Sequence, residues 1–247
     1  MRVAIDTHTH TVASGHAYST VYELAMGARK AHLDGFVLTD HGPALPGGTH
    51  PYHFGNMRVL PERIQGVLVY KGVEANILDL EGSLDLADDY LVALDFAYAG
   101  LHELCFQPRD EAENTRALVA ALANPYVDAV SHPGNAAYPV DIASVVAAAK
   151  EHGKAIEINN SSFMVREGSI DRCGEFARLC AETGSLVVCG SDAHYWGDVG
   201  RFDRALAVMK EAGVRRELVV NASRASFEAF VARRAIEKKA HRAESPK

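Results

Sequence analysis

Short apolar segments alternate with longer helical segments along almost the whole chain. The apolar segments are rich in Val, Ile and Phe, and they predict seven or eight strands, at 3–5, 35–39, 67–74, 95–99, 127–130, 155–158 and 186–189, with 218–220 as the short eighth. Helical patterns lie near residue 19, at 110–123, 141–152, 171–183 and 201–212, and from 223 onward. This alternation predicts a parallel sheet with helices outside, either open or closed into a barrel.

Three local patterns refine this prediction. Residues 42–55 contain three prolines and four glycines, which predicts a loop. Residues 77–80 and 83–86 flank Glu81-Gly82 and are typical of a small hairpin. Thr20 and Glu23 have the spacing of a capping box at the start of a helix.

The size of the chain fits one domain. Its 247 residues match the roughly 250 residues of a single α/β barrel, and 48% of them are hydrophobic, which is enough for one core. We find no linker and treat 1–247 as a single domain. The charged end from Arg233 is predicted to be a helix that frays into a solvated tail over about the last ten residues.

Charge and cysteine pattern argue against several classes of protein. A net charge of −7 and a pI near 5.9 differ from the basic surface of a general nucleic-acid binder. A small phosphorylated substrate stays open, because bound metals can supply positive charge locally. We expect neither a secretory signal nor a membrane span. The four cysteines form no CxxC pair, which favours free thiols in a reducing cytoplasm over a cysteine zinc site.

Histidines and acids stand directly after six of the predicted strands. In chain order they are His8, His10 and His16, then His41, Glu74, His102 and His132, and finally Asp192 and His194. All strand ends of a parallel α/β barrel open on one face. A single histidine after a strand is more often a turn residue than a ligand, but nine residues in one repeating position predict a shared metal site.

The donor types indicate the metals and the chemistry. Imidazole and carboxylate together suit zinc, and also manganese or iron. Nine ligands exceed the four of one tetrahedral zinc, and they suffice for three divalent ions if one carboxylate bridges two of them. Sites with ions about 3.5–4 Å apart suit in-line displacement at phosphorus. The residues therefore predict a metal-dependent hydrolase of phosphate esters.

These residues also resemble a known family. His8-Thr9-His10, Thr39-Asp40-His41, Glu74, His102, Ser131-His132-Pro133 and Ser191-Asp192-Ala193-His194 are similar to the motifs of the PHP (polymerase and histidinol phosphatase) superfamily. Residues 11–14, 16–20, 56–58 and 157–163 resemble the YcdX-type bacterial PHP phosphatases more closely. The likeness covers nearly the whole chain.

The resemblance implies a distorted (βα)7 TIM-like barrel with a trinuclear metal centre, most simply of zinc. It assigns His8, His10, Glu74 and Asp192 to the first ion; Glu74, His102 and His132 to the second; and His16, His41 and His194 to the third. Residues 43–54 depart from the family pattern, so they give no information on the substrate. Relatives of this type are trimers, so a homo-oligomer is expected by resemblance alone.

The expected reaction is hydrolysis of phosphate monoesters by attack of a metal-bound hydroxide, which the metals make available at neutral pH. The candidate catalytic residues are Glu74, Asp192 and His194, and the candidate substrate contacts are Arg58, His53 and Asn160. Asn159 and Asn160 both follow a strand, and we expect at least one to point into the site. Asp40 is either a support for a neighbouring imidazole or an ordinary turn residue.

Three other functions stay open from the sequence. A phosphodiesterase or exonuclease acting on nucleotides would use a similar centre, although the acidic charge disfavours long polymers. An amidohydrolase-type enzyme also begins with His-x-His, but no lysine stands at a strand end to bridge its metals, because Lys71 lies inside a strand. A non-catalytic metal-binding protein would have fully closed coordination.

Overall fold

Seven parallel strands form the barrel, in the order β1-β2-β4-β5-β6-β7-β8, and β3 pairs with β4 in the antiparallel sense. The computed structural model describes residues 1–244. Its strands are β1 (Ile5–Thr9), β2 (Gly35–Leu38), β3 (Arg63–Ile64), β4 (Val67–Asn76), β5 (Phe96–Gly100), β6 (Ala129–Val130), β7 (Ala155–Asn159) and β8 (Leu186–Gly190). The α-helices are α1 (Val21–Lys30), α2 (Pro51–Asn56), α3 (Asp88–Leu91), α4 (Glu111–Ala123), α5 (Ile142–Glu151), α6 (Ser162–Val165), α7 (Ser169–Thr183), α8 (Asp203–Glu211) and α9 (Arg224–Glu244).

The barrel is nearly closed between β1 and β8. At the carboxyl end, the His10 N–H donates to the Ala193 carbonyl oxygen at 2.9 Å. At the other end, Asn221 fills the gap: its Nδ2 donates to the carbonyl oxygens of Ile5 at 2.8 Å and Cys189 at 2.7 Å. This side chain replaces part of the missing ladder. The prediction of a single-domain, distorted TIM-like barrel is confirmed.

The prediction of a short eighth strand at 218–220 is wrong. Arg216–Leu218 is a 3-10 helix, and Val219 forms only an isolated bridge with Val187. The segment reaches the barrel wall for a single residue, because the chain must turn at Asn221 to close the gap between β1 and β8.

The predicted loop at 42–55 contains a helix. Pro51 is the first residue of α2, and the His50 ring accepts a hydrogen bond from the Tyr52 N–H at 3.2 Å. Proline suits the first helical position, where its missing N–H would have no partner in the helix. Its presence therefore marks a helix start as well as a loop. The capping box predicted at Thr20 and Glu23 is confirmed.

Two apolar layers hold the barrel together. Inside it, Phe96 and Tyr98 of β5 pack with Phe227 and Phe230 of α9, so this helix seals the amino-terminal end. Ala97, between the two aromatic residues, faces the outer layer under the helices. Because one end is sealed by apolar side chains, the polar residues at the carboxyl ends of the strands remain at the open mouth.

The charged end from Arg233 is helical, and its residues from 239 to Glu244 are exposed to solvent. Helix α9 continues to that residue, and Arg234 and Lys238 are buried, with their cationic groups 3.0 Å and 2.6 Å from the carboxylate of Asp128. The remainder of the predicted tail, 245–247, lies outside the described residues. Within 1–244, every helix is too short or too polar to cross a bilayer.

Candidate metal centre

The nine predicted ligands converge at the mouth of the barrel. His8 lies in β1 and His10 directly after it, Glu74 lies in β4, and the others follow β2, β5, β6 and β8 or, for His16, the 3-10 helix Val12–Ser14. Three groups of residues each bring their donor atoms within 4.8 Å of one another. They are His8, His10 and Glu74; His41, Glu74 and His102; and His10, His41 and His194.

Glu74 stands at the middle of the cluster. Its Oε2 faces three histidine nitrogens, at 3.1 Å for His8, 3.5 Å for His10 and 3.0 Å for His41. Its Oε1 faces two more, at 3.2 Å for His102 and 2.8 Å for His132. Each oxygen of one carboxylate thus faces a different group of imidazoles, which is the arrangement that a bridging ligand needs.

Asp192 occupies the other side of the cluster. Its Oδ1 lies 3.3 Å from His10 Nε2 and 3.4 Å from His194 Nδ1. His194 Nε2 in turn lies 2.9 Å from His16 Nε2. Since two imidazole nitrogens point at each other there, the outer part of the cluster can also accept a cation.

Five buried polar atoms of the centre have no hydrogen-bond partner within residues 1–244, namely His8 Nε2, His10 Nε2, His41 Nδ1, His102 Nε2 and Glu74 Oε2. Buried polar atoms in native proteins are almost always hydrogen-bonded. The distances around Glu74 Oε2 are close to the separation of about 3.3 Å between two ligands of a tetrahedral ion with bonds of about 2.0 Å. The donor set therefore fits zinc, and also manganese or iron.

Two of these imidazoles are oriented by groups behind them. His8 Nδ1 donates to Glu157 Oε1 at 2.8 Å, and the other oxygen of Glu157 accepts from the His132 N–H at 2.7 Å. His102 Nδ1 donates to Asn76 Oδ1 at 2.7 Å. Because Nδ1 carries the hydrogen in each ring, Nε2 presents its lone pair to the centre.

Asp40 supports a third imidazole through a serine. Its Oδ1 accepts from Ser14 Oγ at 2.6 Å, and Ser14 Oγ lies 3.3 Å from His10 Nδ1. Burial raises the pKa of Asp40, but hydrogen bonds from His53 and Ser14 outweigh burial and lower it to about 2. Asp40 also accepts from the N–H and the hydroxyl of Thr11, at 2.7 and 2.8 Å, so it holds the loop after β1 as well as supporting His10 through Ser14.

The backbone is unusual at two ligand positions. His132 has φ of 32° and Asp192 has φ of 57°, in the left-handed region that is uncommon for residues other than glycine and often found at functional sites. Close by, a Cβ added to Gly190 would lie 2.3 Å from Glu157 Oε1 and 2.5 Å from the Cβ of His8. Only glycine leaves room there for the support of the centre.

The charges around the centre favour a bound cation. Burial raises the pKa of Glu74 and Asp192, but the surrounding histidines, His8 first, hold both pKa values well below the usual range. Burial and the neighbouring imidazoles lower the pKa of His10 strongly, and burial with a nearby guanidinium lowers that of His132 to about 4. Burial lowers the pKa of His8 too, but Glu157, Glu74 and Asp192 outweigh burial and raise it well above its usual value, so His8 must release a proton when a cation binds. Ionised carboxylates and neutral imidazoles are the forms that bind metals.

A cavity of about 490 Å³ opens directly above the cluster. Arg166 is the one lysine or arginine among the described residues that line it. Its Nη2 lies 3.1 Å from Asp192 Oδ2, and its Nη1 donates to Ser162 Oγ at 3.1 Å. Asn159 Nδ2 also donates to Asp192 Oδ2, at 3.3 Å, so this buried asparagine contacts Asp192 without lining the cavity.

The structure places the three candidate substrate contacts away from this cavity. Arg58 is exposed in the 3-10 helix Met57–Val59. His53 Nε2 lies 3.2 Å from Asp40 Oδ2 and lines a separate groove. Asn160 Oδ1 accepts from two backbone N–H groups at the start of α8, both at 3.1 Å. The sequence did not point to Arg166, yet this residue lines the cavity, where the three candidate substrate contacts were expected.

The barrel and its histidine–carboxylate centre define a metal-dependent enzyme of the TIM-like class. No family model matches the chain. A protein of Acetivibrio thermocellus named "Probable phosphatase" is 51% identical over 234 residues, which are 95% of this chain and 97% of that protein. The chain therefore belongs to this family of bacterial phosphatases.

Solved structures share the fold at low sequence identity. A histidinol phosphate phosphatase of Lactococcus lactis, solved with zinc, L-histidinol and phosphate, has a TM-score of 0.63 and 16% identity, covering 87% of this chain and 95% of that one. A putative histidinol phosphatase of Listeria monocytogenes has a TM-score of 0.54 and 16% identity, covering 80% and 97%.

Proposed function

We propose that the protein is a PHP-superfamily phosphatase of the YcdX type that hydrolyses small phosphate monoesters with three divalent metal ions, zinc first among them. The observation that carries this proposal is the cluster of nine donor side chains, in which five buried atoms have no partner among the described residues. The family of probable phosphatases and the zinc-containing structural neighbour support it.

Each part of the cluster would hold its own ion. His8, His10 and Asp192 would hold the first, His102 and His132 the second, and His16, His41 and His194 the third, with Glu74 between the first two. Bound divalent ions supply Lewis acidity, which lowers the pKa of water toward neutrality and offsets charge on phosphate oxygens. Glu157, Asn76 and Ser14 keep the imidazole lone pairs directed at the centre.

Arg166 would position the phosphate group. Its guanidinium lies at the cavity wall and is 18% exposed, and it is held by Asp192 and Ser162. A guanidinium matches the geometry of phosphate oxygens and keeps its charge at all physiological pH values. The lining of the cavity also contains three carboxylates, those of Glu74, Glu103 and Asp192, which repel an anion. The positive charge of the arginine would therefore direct the phosphate end of the substrate toward the histidines.

Single substitutions test this proposal with p-nitrophenyl phosphate as substrate and elemental analysis for metal. His8→Ala and Asp192→Ala should each lower the number of metal ions per chain, and should lower kcat by about 100-fold or more. Loss of a residue that only supports a ligand typically lowers metal affinity or activity 10–100-fold, and loss of a ligand should have a larger effect. Arg166→Met should retain the metals and lower kcat/KM by about 10–100-fold, as expected for loss of a charged hydrogen bond.

His152→Ala is the matched control, because His152 follows the far end of α5 and contacts neither the cavity nor the cluster. It should change neither metal content nor rate. If His8→Ala and Asp192→Ala had the same kcat as the wild-type protein, the proposal would be contradicted. Release of ammonia from an amide or aminopurine substrate, with no release of phosphate from p-nitrophenyl phosphate, would favour an amidohydrolase, although no lysine among residues 1–244 lines the cavity.

A further inference from the structure

Five of the residues that line the cavity are leucines or prolines. Leu45 and Pro46 come from the segment after β2, and Leu101, Leu104 and Pro108 come from the segment after β5. Leu104 stands at the rim with 68% of its surface exposed. A leucine so exposed beside a catalytic cavity loses contact with water when a ligand covers it, which favours an apolar ligand.

Two polar atoms of this lining are already engaged in hydrogen bonds within the protein. The hydroxyl of Tyr138 donates to the Phe106 carbonyl oxygen at 2.7 Å, so only the ring of Tyr138 is left for a ligand. Asn135 Oδ1 accepts from the Ala137 N–H at 3.1 Å, which leaves the amide N–H groups of Asn135 as donors. Glu103 is exposed at the edge and contributes a negative charge.

This lining is unsuited to a polyhydroxylated or multiply charged leaving group. Sugar hydroxyls would lose water against Leu45, Leu101 and Leu104 without gaining enough hydrogen bonds, which is unfavourable. A second phosphate or a carboxylate would meet the charge of Glu103. On the basis of the proposed phosphatase function, we propose that the substrate is the phosphate monoester of a compact, mainly apolar alcohol without a second anionic group.

Two esters of equal ring size test the proposal. Cyclohexylmethyl phosphate and glucose 6-phosphate are both phosphates of a primary alcohol on a six-membered ring, and they differ mainly in the ring oxygen and hydroxyls. We expect kcat/KM for the apolar ester to exceed that for the sugar ester by about tenfold or more, the scale of discrimination by a few apolar contacts. Each ester should also be measured as a competitive inhibitor of p-nitrophenyl phosphate hydrolysis. We expect the apolar ester to have the lower inhibition constant of the two.

Variants of the rim locate the preference. Leu104→Asn should reduce the ratio of the two kcat/KM values at least threefold, because it replaces an exposed apolar contact at the rim of the cavity with a polar amide. Leu78→Asn is the matched control: Leu78 is also an exposed leucine, 40% accessible, but it lies outside the cavity lining. Its ratio should equal that of the wild-type protein.

The outcomes separate this inference from the proposed function. If p-nitrophenyl phosphate is hydrolysed but glucose 6-phosphate is turned over or bound as well as the apolar ester, the substrate class is wrong and the phosphatase function stands. The same holds if Leu104→Asn leaves the ratio unchanged. If the metal-loaded protein releases phosphate from none of the three esters, the proposed function itself fails.

Discussion

Lys154 is a buried lysine at the end of the barrel opposite the metal centre. Its Nζ donates to the carbonyl oxygens of Asn124, at 3.1 Å, and Val127. Burial, together with the positive charges of Arg234 and Lys238, lowers its pKa from 10.5 to about 7. The folded protein therefore holds this side chain uncharged at alkaline pH, whereas the unfolded chain keeps it protonated up to its ordinary pKa.

This shift predicts a pH dependence of stability. Between about pH 7 and pH 10.5 the unfolded chain binds a proton that the folded protein does not, so the free energy of unfolding rises with pH, by up to about 1.4 kcal/mol per unit. Lys154→Met lacks this contribution. In urea unfolding, wild-type stability minus variant stability should increase by about 2–3 kcal/mol from pH 7.5 to pH 9.5, and an unchanging difference would contradict the assignment.

The convergence of the candidate ligands was predictable from the sequence, and the residues that support them mostly were not. His8, Glu74 and Asp192 stand at strand ends, and parallel topology brings all strand ends together. Glu157 gave a weaker signal, as an acid inside an apolar strand. Arg166 gave none, because its position depends on how the short helix α6 turns the chain back over Asp192.

At the scale of elements, α9 is attached to β6 by a buried charge cluster. Asp128 precedes β6, and its carboxylate accepts from Arg234 Nε and Lys238 Nζ. Asp128→Asn would leave the buried Lys238 without its counter-charge and Arg234 with Glu237 alone, so we expect a loss of about 3–5 kcal/mol in the free energy of unfolding. Thermal or urea unfolding measures the change.

The same helix offers a matched control. Arg242 of α9 pairs with Asp89, whose side chain is 76% exposed. Asp89→Asn also removes one acid that pairs with α9, but at the surface and from a single ion pair, and it should change stability by less than about 1 kcal/mol. Equal effects of the two substitutions would show that burial of Asp128 does not govern the attachment of α9.

Two features that the sequence did not predict have one cause in common. Their structure is set by tertiary contacts rather than by local pattern. The segment 218–220 has the composition of a strand, yet it reaches β8 at one residue only. The end of α9 has the charge of a solvated tail, yet Lys238 finds its partner in Asp128, 110 residues away. Only the folded barrel brings such partners together.

For the whole molecule, closure of the barrel is what joins the donors into one centre. β1 provides His8 and His10, β8 leads into Asp192 and His194, and these two strands are neighbours only because the barrel closes between them. The aromatic residues of α9 seal the opposite end. The mouth is therefore the place where a metal cluster and a substrate cavity can occur together.

The most direct test is the number of metal ions per chain, measured by elemental analysis of the purified protein together with its rate of phosphate release. We expect three divalent ions per chain, loss of activity on chelation, and recovery when zinc or manganese is returned. A protein with well under one ion per chain, and no phosphatase activity after either metal is added, would contradict the proposed metal-dependent function.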